Sequence, residues 1–200
     1  MILLLCFAAC AISGAYGANS CYGNIMHLHT TGISGRGVAG SHADVAYRIH
    51  ELNSMKSCYD QVANANCIEA SIIGGIASRE TNGGASLGAD GLGTWDHNGY
   101  GIMQCDIHTS GLPCRNCPPK SCCHIEMMVH QKIIPDINYF KSKFPSWSIE
   151  QQVQAAIVAY NAGRSRIHSF SNIDAITTGK DYSNDVIARA QYLKSHYGWS

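Results

Sequence analysis

Ile68-Glu69-Ala70-Ser71-Ile72-Ile73-Gly74-Gly75-Ile76-Ala77-Ser78-Arg79-Glu80 is the stretch on which the fold turns. Its apolar residues predict a helix over about Ile68 to Arg79, with Ile76 one turn and Ile73 two turns before Glu80 on the same face. Gly83, Gly84, Gly88, Gly91, Gly93, Gly99 and Gly101 follow, too dense for a helix, because each forfeits about 1 kcal/mol relative to alanine. Turns and a short β-hairpin ending in Tyr100-Gly101-Ile102-Met103 are expected there. A carboxyl group thus sits where an apolar helix meets a glycine-rich loop. It faces the negative end of the helix dipole and an apolar wall, and both favour its neutral form. A carboxylic acid that keeps its proton is suited to general-acid work, whereas a solvated glutamate at a frayed helix end is the plainer alternative.

Working outward, Val45, Ile49, Leu52 and Met55 recur at helical spacing and predict a helix over about Ser41 to Lys56. Residues 18–40 are rich in Gly, Ser and Thr and are expected to form an irregular arm. A helix is expected near Ile125–Ile134, interrupted or ended by Pro135. Ser148-Ile149-Glu150-Gln151 has the form of a capping box. It opens a helix with Val153, Ala156, Ile157 and Tyr160 on one face, and Gly163 supplies a left-handed C-cap. A last helix is expected over about Asn184 to His196. The sum is an α+β domain, mostly α, with a small β element inserted after the second helix.

The 200-residue length fits one domain with a real core. Lys plus Arg equals Asp plus Glu at 14 each, without the basic excess of a nucleic-acid binder. Ile2, Leu3, Leu4, Leu5 and Phe7 form an apolar run too short to span a bilayer. Ala15-Tyr16-Gly17 suits cleavage before Ala18, so residues 1–17 read as a signal peptide and the mature domain as 18–200. Beyond that leader no run is long and apolar enough for a membrane helix. Eight cysteines remain (Cys21, Cys58, Cys67, Cys105, Cys114, Cys117, Cys122 and Cys123), an even number that reads as disulfides in a secreted chain. Spacing alone does not choose their pairing, and Cys114-x2-Cys117-x4-Cys122-Cys123-His124 has zinc-site character as a rival reading.

Longer blocks then come into register. Cys21-Tyr22-Gly23-Asn24, Thr30-Thr31-Gly32, Ser78-Arg79-Glu80, Tyr100-Gly101-Ile102-Met103-Gln104-Cys105-Asp106, Phe144-Pro145-Ser146-Trp147, Ala159-Tyr160-Asn161-Ala162-Gly163, Asp181-Tyr182 and Asn184 to Tyr192 resemble the goose-type lysozymes in order and along nearly the whole chain. The resemblance implies a lysozyme-like fold and a glycosidase acting on the glycan strands of bacterial peptidoglycan. Glu80 matches the catalytic acid, and Asp106 one of two aspartates that position the attacking water. Asp96, in Trp95-Asp96-His97-Asn98-Gly99, matches the other across a one-residue gap, with Asp90 as its rival. Each aspartate also suits a turn beside glycine. Tyr160, Asn161 and Tyr182 match residues that line the saccharide cleft, although Tyr160 serves equally as core on its helix face.

The resemblance further implies a Cys21–Cys67 bridge, leaving six cysteines for additional disulfides, and no metal or organic cofactor. A second bridge of vertebrate members has no counterpart, since Gly32 to Ser41 holds no cysteine. Inversion is expected, Glu80 protonating the leaving oxygen and the aspartates holding water. A monomer is expected. A lytic transglycosylase, and a peptidoglycan-binding protein that has lost catalysis, remain the alternatives.

Overall fold

The computed structural model describes residues 21–95 and 97–200, so the leader and Asp96 lie outside the described residues. The elements are α1 (Gly37–Tyr47), α2 (Ile49–Asn53), α3 (Lys56–Asn66), α4 (Ala70–Thr81), β1 (Gly99–Tyr100), β2 (Cys105–Asp106), α5 (Cys122–Met128), α6 (Ile134–Lys143), α7 (Ile149–Ala162) and α8 (Tyr182–Tyr197), with short 3-10 turns between some of them. This is the mostly α architecture with one small antiparallel pair that the pattern of the chain predicts.

At the centre is α4, buried from Ala70 through Ser78. Helix α8 lies against it so closely that a Cβ on Gly75 would stand 2.8 Å from the Val186 carbonyl oxygen. Only a glycine permits that approach, and it brings the C-terminal end of α4 over the first turn of α8. Helices α1 and α7 flank α8, and α6 packs on α7. The chain's end is tied in as well, because Trp199 is buried and the Ser71 amide donates to the Ser200 carbonyl.

The expected helix over Ser41 to Lys56 is instead three helices. The first begins earlier, at Gly37 inside the expected irregular arm. It breaks at Arg48 (φ −116°, ψ 17°) and again at Met55 (φ −114°, ψ 8°), so Val45 and Leu52 both reach the core from differently aimed segments. Pro135 ends nothing. It occupies the first turn of α6, and the helix runs on into it through a π-helical turn over Val129–Ile133 that interrupts the regular α pattern just before the proline. The capping box of α7 is formed at Ser148 and Gln151 as read. Gly163 stops that helix at φ +81° and ψ 135°, a positive-φ cap other than the left-handed helical one expected. The hairpin also starts, rather than ends, around Tyr100, at Gly99. Its register is Gly99 to Asp106 and Tyr100 to Cys105, with residues 101–104 forming the turn.

All eight described cysteines are paired, as Cys21–Cys67, Cys58–Cys122, Cys105–Cys114 and Cys117–Cys123. The first ties the N-terminal arm to the residues before α4, as the resemblance implied. The other three staple the segment between the hairpin and α5, which absorbs the cluster that also read as a zinc site.

His124 is buried in that stapled region, and neither ring nitrogen has a hydrogen-bond partner among the described residues. Its ring fills the space beside Gly101 (φ +76°), where a Cβ would stand 2.5 Å from it. Burial pushes its pKa from 6.5 down to about 4. A base whose pKa falls on folding binds fewer protons folded than unfolded between those values. Stability is therefore full above pH 6.5, declines as pH falls towards 4, and is lower by about 3 kcal/mol below that. His124→Leu, which removes no hydrogen bond, is expected to flatten the fall in melting temperature between pH 6.5 and 4. A parallel fall in wild type and variant would show that other groups control the acid slope.

Candidate active site

Glu80 stands in the last turn of α4, partly buried, with Asn82 closing the helix in the left-handed conformation. The hydroxyl of Tyr182, from the first turn of α8, donates to Glu80 Oε1. Burial, and then the neighbouring Glu80 carboxylate, hold the Tyr182 phenol well above its ordinary pKa, so it remains a donor. Tyr182 is only 2% exposed, which places it beneath Glu80 rather than on an open surface of the groove.

Glu80 opens into a cleft of about 270 Å³, lined also by Asn98, Gly99, Gln104, Asp106, Tyr160 and Asn161. A second, wider section of about 420 Å³ shares Gln104, Asp106, Tyr160 and Asn161 and continues past Thr109 towards Lys132. The two sections make one groove with Asp106 and Tyr160 in both. Tyr160, near the end of α7, donates its hydroxyl to the Met103 carbonyl, joining the helix to the hairpin turn. Burial first, and Glu80 second, also keep the Tyr160 phenol protonated. Asn161 is exposed, and its Oδ1 accepts the Thr178 backbone N–H at 2.9 Å, leaving the amide nitrogen available to donate.

Asp106, at the end of β2, accepts from the backbone N–H groups of His108 (2.8 Å) and Thr109 (2.9 Å) and from the Thr109 hydroxyl. The Thr109 hydroxyl foremost, helped by those amides, holds the Asp106 carboxyl below the usual carboxylate range. It is thus ionised wherever the protein works near neutrality. Asp90 is exposed and away from the groove, its Oδ1 accepting the Leu92 N–H at 3.0 Å as a turn residue does. Asp96 lies outside the described residues.

These parts amount to a partly buried carboxyl group and an ionised carboxylate on one groove, with aromatic and amide groups between them. A family model described as lysozyme g matches residues 22–197. The chain belongs to the lysozyme g family. Lysozyme g of Struthio camelus is 33% identical over 206 residues, spanning 98% of this chain and 98% of that protein. Lysozyme g of Gallus gallus is 33% identical over 209 residues, spanning 98% and 95%. A "Glycine, glutamate and proline-rich protein" of Lottia gigantea is 40% identical over 192 residues, and this chain spans 46% of its length. The protein is accordingly a lysozyme, a glycoside hydrolase.

Two parts of this lysozyme g site escaped sequence reading. Gln104 lines both sections of the groove and sits at φ +51°, with its Nε2 donating to the Gly101 carbonyl at 2.9 Å. A glutamine in the left-handed region is the signature of a held backbone, but only coordinates reveal it. Thr109 was equally invisible, since its function is to bond Asp106 three residues back. The Cys105–Cys114 bridge closes over that same loop, where the Ser110 hydroxyl also donates to the Asp106 carbonyl.

Proposed function

We propose that this lysozyme is a secreted N-acetylmuramidase that hydrolyses the β-1,4 bond between N-acetylmuramic acid and N-acetylglucosamine in bacterial peptidoglycan, with inversion. The observation that carries the reading is that Glu80 and Asp106 line one cleft with polar amides between them and no third carboxylate among its described lining residues. Glu80 is the acid that protonates the leaving oxygen. Asp106, together with Asp96, holds and activates the water that attacks the opposite face of the sugar. Tyr160 and Asn161 contact the saccharide, and Tyr182 fixes the acid from below. The chemistry needs no cofactor.

The working unit is a single domain over residues 18–200, acting as a monomer after loss of a leader at 1–17. Four disulfides support an oxidising, extracellular setting. Among the described residues no helix is long and apolar enough to cross a membrane.

Mass spectrometry of digested peptidoglycan tests the reaction. Hydrated reducing muramic ends, carrying heavy oxygen when the digest is run in labelled water, are expected. Anhydro-muramic ends would instead mean attack by the sugar's own C6 hydroxyl, as in a lytic transglycosylase, and would remove the aspartates from the mechanism. Binding to walls without products would leave a wall-binding protein.

The Thr109 bond gives a pH prediction. Thr109→Val removes the donor that most depresses the Asp106 pKa, so that pKa rises. Activity that needs ionised Asp106 is then lost at a higher pH on the acid side, while the alkaline limb stays put. A kcat/KM profile against pH checks this, and an unmoved acid limb would take Asp106 out of the rate-determining ionisation.

A further inference from the structure

Asp106 ends a strand only two residues long, and the chain beyond it has no regular structure until the 3-10 turn Cys114–Asn116. The donors on its carboxylate come from that irregular stretch: the His108 and Thr109 amides and the Thr109 hydroxyl. They sit on residues with little to hold them. His108, Thr109, Ser110 and Gly111 are exposed, and a Cβ on Gly111 would meet nothing within 4 Å, so the tip of the segment stands in solvent. Ile107 and Leu112, one towards each end, pack partly against the core.

The segment is bonded to itself. The Leu112 amide donates to the Ser110 hydroxyl at 3.1 Å, the Cys114 amide to the Leu112 carbonyl at 2.8 Å, and the Ser110 hydroxyl to the Asp106 carbonyl at 2.5 Å. Solvent-exposed hydrogen bonds of this kind open at little cost. A stretch tied only to itself keeps its shape while its two ends stay together.

Cys105 and Cys114 meet that condition. Their bridge joins the residue before Asp106 to the far end of the segment, and both cysteines are buried, at 0% and 4% exposed. The Ser110 hydroxyl lies 3.9 Å and 3.6 Å from the two sulfurs, so the inner turn rests on the bridge itself. In the chain-entropy account a disulfide stabilises more as the closed loop lengthens. Cys21–Cys67 and Cys58–Cys122, at separations of 46 and 64, therefore serve global stability better than this ring with a separation of 9. What so short a ring restricts is local. Cys117–Cys123, at a separation of 6, is shorter still, but no residue from 117 to 123 lines the groove.

We propose that the Cys105–Cys114 bridge is a positioning element of the active site, closing residues 105–114 into a ring that keeps the Thr109 hydroxyl and the His108 and Thr109 amides on the Asp106 carboxylate. The bridge acts through Asp106 and touches no substrate. The proposal rests on the water-holding role given to Asp106 above, and adds to it the device that keeps that carboxylate aimed.

Cys105→Ala/Cys114→Ala opens the ring and leaves no free thiol. Loss of the donors raises the Asp106 pKa, so activity that needs the ionised form fails at a higher pH on the acid side. The expected result is an acid limb of kcat moved to higher pH, a plateau kcat lowered by about 10²-fold, and KM little changed. An NMR titration of the isotope-labelled Asp106 carboxyl is expected to move with the limb. Thr109→Val, added to the opened ring, is expected to change little more, because its hydroxyl has already left the carboxylate. Cys117→Ala/Cys123→Ala is expected to leave the acid limb in place. Should the opened ring prevent folding, two glycines inserted after Gly111 slacken it with all four bridges kept, and the same shifts are expected. An unmoved Asp106 titration would overturn the positioning role, as would an equal effect of Thr109→Val in the closed and opened rings. A limb that moves as far on loss of Cys117–Cys123 would overturn it too, since general loosening would then be the cause. A carboxyl that titrates higher while the acid limb stays put upholds the hold of the bridge on Asp106 and removes Asp106 from the mechanism.

Discussion

Glu80→Gln is expected to lower lytic activity on peptidoglycan by about 10²–10⁴-fold while leaving the melting temperature nearly unchanged. The substitution keeps the shape of the side chain and an oxygen to accept the Tyr182 hydroxyl, so the contact that fixes the group survives. What is lost is the proton. No neighbour replaces it, because Asp106 is held ionised by Thr109 and the loop amides, and the phenols of Tyr160 and Tyr182 are held well above their ordinary pKa. Turbidity clearing of a cell-wall suspension, with a thermal melt of the same sample, reads both quantities. Activity within tenfold of wild type would remove Glu80 from the role of acid.

The element that decides the fold was the most legible, and for a physical reason. Helix α4 is buried on nearly every side, so its composition is apolar throughout and its end is marked by an abrupt change to glycine. Helix α7 was legible from its capping box, a purely local code. The breaks at Arg48 and Met55 were not, because both residues are ordinary helix formers forced out of helical angles by tertiary packing. The π-helical turn before Pro135 is likewise a negotiated solution that the proline alone does not specify. At the site, the acid and the groove aromatics could be placed by resemblance, but their directions could not. Tyr182 shows the difference: its match implied a cleft residue, and its position beneath Glu80 follows from the close approach of α4 and α8. The three disulfides beyond Cys21–Cys67 depend on which loop folds over which helix, information that cysteine spacing does not hold.

Asp185→Ala is expected to cost about 3–5 kcal/mol of stability, the largest effect of any single substitution outside the hydrophobic core. Asp185 is fully buried on α8 and accepts from three directions. Arg79, next to Glu80, donates to one oxygen at 2.7 Å, and Arg189 and Ser41 donate to the other at 2.9 and 2.6 Å. Arg189 is itself only 3% exposed, with its remaining contacts to Ser78 and Asp44. Removing the carboxylate therefore takes from Arg189 its one fully buried counter-ion and leaves it only the part-exposed Asp44, and that lost compensation, more than the lost attraction, sets the cost. For a chain of this size the loss corresponds to a fall in melting temperature of about 6–20 °C. The same network explains why stability and catalysis meet here. Arg79 also pairs with Asp181 at 3.1 Å, the residue before Tyr182, so the ion cluster fixes the turn of α8 that carries the tyrosine to the acid. Asp44→Ala supplies the contrast, since that carboxylate is partly exposed and its loss leaves Arg189 still paired with the buried Asp185. A calorimetric melt of both variants should give a large drop for Asp185→Ala and a drop of at most about 1 kcal/mol for Asp44→Ala. Equal drops would mean that the buried guanidinium is not the seat of the penalty.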